Sequence, residues 1–260
     1  MNKSLSGKMT FSESQGKTPR IVYLTILLLP FLLFYWMLPF IADQSIGKDY
    51  QTIGIQSQME LFFSIKTGSF PLYVPGFAAG NSSLTLTLGQ LFHPITYIAS
   101  VLPGYWSGKA LEWNSFLRLL SLGLTHVVLF AFLRKLKLKM LFSFLLSSIT
   151  IYNLRMLDLF RYLASLEAYT GFVLLCTATG WYYLNPTRWL GPLSIIGLTA
   201  WLTCSGHAQM MYYGIVGAGL FSFVAPFFIS AMIPGMRTDI KDLSRFWIKT
   251  TVFLMLGVLL

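Results

Sequence analysis

The sequence predicts an all-α, polytopic integral membrane protein, with about seven transmembrane helices and a long first external loop carrying interfacial amphipathic helices. Three observations predict it. Apolar residues make up 55% of the 260 and charged residues only 11%, less than half the charged share of an ordinary soluble domain. Ile21 to Ala42 is an uninterrupted run without a charge, about 33 Å long as a helix against a hydrocarbon core of about 30 Å. Further apolar runs recur along the chain, and the excess of basic over acidic residues between them falls on one side.

The chain begins with a tail, residues 1–20, that carries Lys3, Lys8, Lys17 and Arg20. A basic tail before an apolar run resembles a secretory signal, but this run is too long for one and no small-x-small cleavage site follows, so an uncleaved signal anchor is expected. The candidate spans are 21–42, 113–133, 140–156, 168–185, 189–206, 209–233 and a last one starting near Phe246. Residues 21–260 then form a single transmembrane domain, read as the N-terminal part of a longer protein. Cys176 and Cys204 both lie within apolar runs, with no Cys or His at metal-ligand spacing, and read as packing residues.

Seven spans alternate sides, so loop charges give the orientation. With the N-terminus cytoplasmic, the inner segments hold the four basic residues of the tail, Arg134, Lys135, Lys137, Lys139, Arg188, Arg237, Lys241, Arg245 and Lys249, against Glu13, Asp239 and Asp242. The outer segments balance to zero, so the whole formal charge of +10 lies on the inner face. That predicts a cytoplasmic N-terminus. The chain's basicity is accounted for by anionic lipid, without nucleic acid.

Between the first two spans lies the long external loop, 43–112, and loops of that length usually carry function. Ile55, Met59, Phe62 and Phe63 recur at helical spacing among Gln51, Gln56, Gln58, Glu60 and Lys66, the pattern of a helix lying on the bilayer. Gly68, Pro71, Pro75, Gly76 and Gly80 then break the chain, and Leu84 to Ser100, around His93-Pro94, predicts a second short interfacial or re-entrant piece.

Asp43, Asp49, His93, Arg155, Asp158, Arg161, Glu167, His207 and Gln209 all fall at or near the outer face in this topology. A single external site produces such convergence; so does the cost of placing charge at the bilayer centre. Asp49 is the candidate general base, since a partly desolvated carboxylate accepts a proton from a hydroxyl; capping the amphipathic helix is its other reading. Asp43 closes the end of the first span. Arg155 and Arg161 share a helical face with Asp158 and offer forked donors to a phosphate or diphosphate, or they form a structural ion-pair cluster. His93 and His207 either donate to substrate oxygens or are satisfied interfacial histidines. The Asn81-Ser82-Ser83 sequon is external.

Several short motifs follow one another in a recognisable order: Asp49-Tyr50-Gln51 after the first span, Thr67-Gly68-Ser69-Phe70-Pro71-Leu72-Tyr73, Gly76-Phe77-Ala78-Ala79-Gly80-Asn81, His93-Pro94, and His207-Ala208-Gln209. In that order, over residues 20 to 230, the chain resembles the YfhO-like bacterial membrane proteins, which belong with the C-type (GT-C) glycosyltransferases. The resemblance implies a GT-C-like fold whose first external loop carries an active-site aspartate, here Asp49, and transfer of a sugar from a polyprenyl-phosphate donor at the outer face. Gln51, His93, Arg155, Asp158, Arg161, His207 and Gln209 are then the expected substrate contacts. Related proteins often have His-Pro-Gln where this chain has Ala208 in the middle. Some C-type enzymes use a divalent metal such as Mg2+ or Mn2+; Asp49 with Asp158 or Glu167 is the combination available here, at no recognisable ligand spacing. The expected partners are membrane lipid and the lipid-linked donor. Two other classes of function remain open: a transporter or lipid flippase, whose mark is ionisable residues deep within spans, and a non-catalytic membrane assembly subunit.

Overall fold

The structure, a computed structural model, describes residues 18–35, 66–68, 73–74, 81–82, 93–153, 163–205, 208–233 and 239–259. These residues form a helical protein: α1 Arg20–Leu33, α2 Pro94–Ser100, α3 Ala110–Lys135, α4 Met140–Ile151, α5 Leu163–Leu184, α6 Leu190–Thr203, α7 Ala208–Met232 and α8 Ile240–Leu259. The exceptions are a 3-10 turn at Tyr105–Ser107 and one antiparallel pair, β1 Tyr73–Val74 with β2 Asn81–Ser82, in the register Tyr73 to Ser82 and Val74 to Asn81. The sequon's Asn81 thus lies in a short hairpin within the first loop.

Each of the seven predicted spans contains a helix, while α2 is the short piece expected around His93-Pro94. Two helical segments, Ala110–Lys135 and Gln209–Met232, are long and apolar enough to cross a membrane. The boundaries differ from the apolar runs in both directions. α1, α4 and α6 have 14, 12 and 14 residues, only about 18 to 21 Å each. α1 contains Pro30, which lacks the N–H an interior helical residue donates, and closes when Phe34 donates to the Pro30 carbonyl. α4 stops at Ile151, where the Asn153 amide turns back onto the Thr150 carbonyl and competes with continuation of the helix. Conversely, α5 starts at Leu163, five residues before the predicted span, because Glu167 is paired inside the bundle and does not end the apolar segment. α8 starts at Ile240, not near Phe246: the Asp239 carboxylate accepts from the Lys241 backbone N–H and so caps a charged, exposed first turn.

α5 is the central helix and packs on α3, α6 and α7; α1 and α4 lie against α3, and α8 against α6 and α7. Its composition explains this position. Thr170, Thr177 and Thr179 are buried, and their hydroxyls donate to carbonyls three or four residues back, which satisfies them without an outside partner. Small side chains elsewhere bring backbones together. A Cβ on Gly123 of α3 would stand 2.3 Å from the Leu27 carbonyl oxygen of α1, and one on Gly257 of α8 would stand 2.6 Å from the Ile196 carbonyl oxygen of α6. This close approach through small residues is the usual contact between helices in lipid.

Candidate functional site

α3 is apolar along most of its length, yet Arg118 in its third turn is completely buried. An arginine in such a run requires a partner, and the fold supplies two, Asn114 and Glu167. One turn earlier Asn114 accepts from the guanidinium on its side-chain oxygen at 2.7 Å and on its carbonyl oxygen at 3.2 Å, while its own amide donates to the Ala110 carbonyl. From α5, Glu167 Oε1 lies 3.3 Å from Arg118 Nε. His93 closes the group, with Nε2 at 3.5 Å from Glu167 Oε2. His93, Arg118 and Glu167 are all 0 or 1% exposed.

The position of His93 follows from its two neighbours. Pro94 occupies the first helical position of α2, where a missing N–H costs nothing, and His93 caps the helix by accepting the Ile95 N–H on Nδ1 at 3.3 Å. With Nδ1 acting as acceptor, the neutral ring carries its proton on Nε2, toward Glu167. Burial, reinforced by the Arg118 charge, holds the His93 imidazole well below its ordinary value, so it is neutral. From α6 the Trp201 ring meets the imidazole edge-on at 4.5 Å between centroids. The buried Trp201 indole N–H has no acceptor among the described residues. Four elements therefore converge on one charged pair: the start of α2, α3, α5 and the end of α6.

Around this pair the polar segments are anchored. Asn153, which follows α4, donates to the Tyr169 hydroxyl of α5 at 3.0 Å, and Tyr169 donates to the Thr150 carbonyl. Tyr169 also lines an apolar cavity of about 190 Å³ between α5 and α7, with Phe172, Met210 and Tyr213. Lower in α3, His126 is fully buried; its Nδ1 lies 3.2 Å from the Tyr152 hydroxyl and its Nε2 lies 3.0 Å from Ser147 and 3.3 Å from Ser148.

Of the residues expected at an external site, His93 and Glu167 are brought into contact. His93 accepts the Ile95 N–H and stands 3.5 Å from Glu167 without a hydrogen bond between them. Gln209 is exposed in the first turn of α7 and donates to Tyr213 on its own helix, at the rim of the apolar cavity. Asp43, Asp49, Gln51, Arg155, Asp158, Arg161 and His207 lie outside the described residues. Sequence reasoning assigns no role to Arg118 or His126. The available signal was an arginine followed by a histidine inside an apolar run, with Asn114 one turn before the arginine.

Asp49 and Asp158, the expected companions of Glu167 at a metal, lie outside the described residues, and Glu167 itself stands against the Arg118 guanidinium. Among the described residues no group of three His, Cys, Asp or Glu side chains is placed to hold a metal ion. Cys176 and Cys204 are free, half-buried thiols. The chain matches no family model, and neither a curated protein nor a solved structure matches it.

Proposed function

We propose that the protein is a polytopic inner-membrane glycosyltransferase of the C-type class, related to the YfhO-like proteins, which moves a sugar from a polyprenyl-phosphate donor to an acceptor at the outer face. The observation that carries this reading is the buried Arg118–Glu167–His93 group. It joins α3 and α5, the helices that follow the loops bearing Asp49, Arg155 and Arg161, and it lies toward the opposite end of α3 from Arg134 and Lys135. A membrane setting is supported by the apolar side chains turned outward on four helices, among them Leu32, Leu141, Phe228 and Met255, a surface suited to lipid.

In the proposed reaction Asp49 takes the proton of the acceptor hydroxyl as its oxygen bonds to the anomeric carbon. The bond from that carbon to the phosphate oxygen breaks, and its electron pair leaves with the phosphate, where Arg155 and Arg161 stabilise the charge. The buried group acts one step back, as a rigid base for the loops. The experiment is turnover of a polyprenyl-phosphate sugar by purified membranes carrying wild type or Asp49→Asn. Loss of turnover with intact protein is expected; retained turnover removes Asp49 as the base.

A second reading has its own observation. Arg118, Glu167 and His126 lie inside helices and face the bundle, which is the mark of a translocation path. Proteoliposomes that move lipid or solute without transferring sugar would favour a transporter or flippase.

A further inference from the structure

At the end of the bundle that carries Arg134 to Lys139, a cleft of about 430 Å³ opens between the end of α3, the end of α5 and the start of α6. It is distinct from the Glu167 site and independent of the sugar-transfer reading. Lys135 and Arg188 line it as the cations, Asn185 and Ser194 as neutral hydrogen-bonding groups, and Trp181 and Tyr182 as aromatic walls; among the described residues no acidic side chain lines it. Two cations with an amide and a hydroxyl suit a multiply charged oxyanion, the Arg188 fork pairing with two of its oxygens and Lys135 adding a point charge.

The surroundings specify what the anion is attached to. Trp189, Leu190 and Leu193 stand beside the cleft and are 69, 55 and 53% exposed, so the mouth passes directly from charged groups to an apolar surface. Trp181 stands at the same level, where amphipathic rings border headgroups. The volume lies within the range of small-molecule sites, about 300–1,000 Å³, enough for a phosphoglycerol group. We propose that this cleft binds the phosphate headgroup of an anionic phospholipid, with Lys135 and Arg188 on the phosphate and the acyl chains running along Trp189, Leu190 and Leu193.

The test uses the full chain in detergent micelles, with tryptophan fluorescence read during titration with short-chain phosphatidic acid, short-chain phosphatidylcholine or inorganic phosphate. Saturable binding of phosphatidic acid is expected, with phosphatidylcholine far weaker and inorganic phosphate competing only at much higher concentration. The double variant Lys135→Gln, Arg188→Gln should weaken binding by roughly tenfold or more, and Ser194→Glu should do so without removing a cation. Lys241→Gln with Arg245→Gln, at the same end but outside the cleft, should leave it unchanged. Full affinity in the double variant or in Ser194→Glu overturns the proposal, as does equal weakening by the Lys241, Arg245 pair. Inorganic phosphate binding as tightly as phosphatidic acid overturns the lipid assignment.

Discussion

Glu167 Oε1 of α5 stands 3.3 Å from Arg118 Nε of α3, both side chains excluded from solvent. Removing one member of such a pair strands the other as an unpaired buried charge, which costs about 3–5 kcal/mol. Arg118→Met alone should therefore lower stability by that amount in a denaturant titration of the micelle-bound protein. Arg118→Met combined with Glu167→Leu should recover most of it, because no charge is left behind. A loss below about 1 kcal/mol for Arg118→Met would put the pair with exposed ion pairs.

His93 contributes a pH dependence of defined sign. Its folded value lies well below the ordinary 6.5, so below about pH 6.5 the unfolded chain binds a proton that the folded chain refuses. The stability tied to the neutral ring is present above that pH and is lost as pH falls through it. His93→Asn, which keeps a capping acceptor for Ile95, should flatten the fall in unfolding temperature between about pH 7 and 5. An unchanged pH profile in that variant would show that His93 is not the titrating group.

Two glycines, one in α3 and one in α6, should respond oppositely to the same methyl group. Gly123→Ala places a carbon 2.3 Å from the Leu27 carbonyl oxygen and must push α1 from α3, at a cost of about 1–3 kcal/mol. Gly197 has nothing within 4 Å of the corresponding position, so Gly197→Ala should be neutral or stabilise α6 by about 0.5–1 kcal/mol. Thermal unfolding of the two variants side by side measures the difference.

Orientation is testable by labelling. Ser107 and Lys139 are both exposed, at opposite ends of α3. In spheroplasts of a background with Cys176→Ala and Cys204→Ala, a membrane-impermeant maleimide should label Ser107→Cys and spare Lys139→Cys until the membrane is opened. The reverse pattern would invert the proposed topology.

The apolar runs were sufficient to locate seven helices, since a helix of this composition is written in consecutive residues. They failed at the ends, where single side chains decide: Asn153 ends a helix inside a run that continues, and Asp239 starts one before its run begins. A short piece is expected around His93-Pro94, and the helix found there starts at Pro94 because the cap and the proline are local. The approach of His93 to Glu167 was not legible, because their separation in the chain carries no spacing rule.

By itself the sequence determined that the chain is mainly helical, roughly where its apolar helices lie, and that basic charge collects at one end, since each depends on neighbours in the chain or on totals. Only the tertiary structure decided that Arg118, Glu167 and His93 form one buried group, and that Lys135 and Arg188 share a cleft. The reason is that a buried charge requires a partner but does not specify from which helix. That choice falls to the packing of whole helix faces, governed by close approaches such as Gly123 on Leu27 and Gly257 on Ile196.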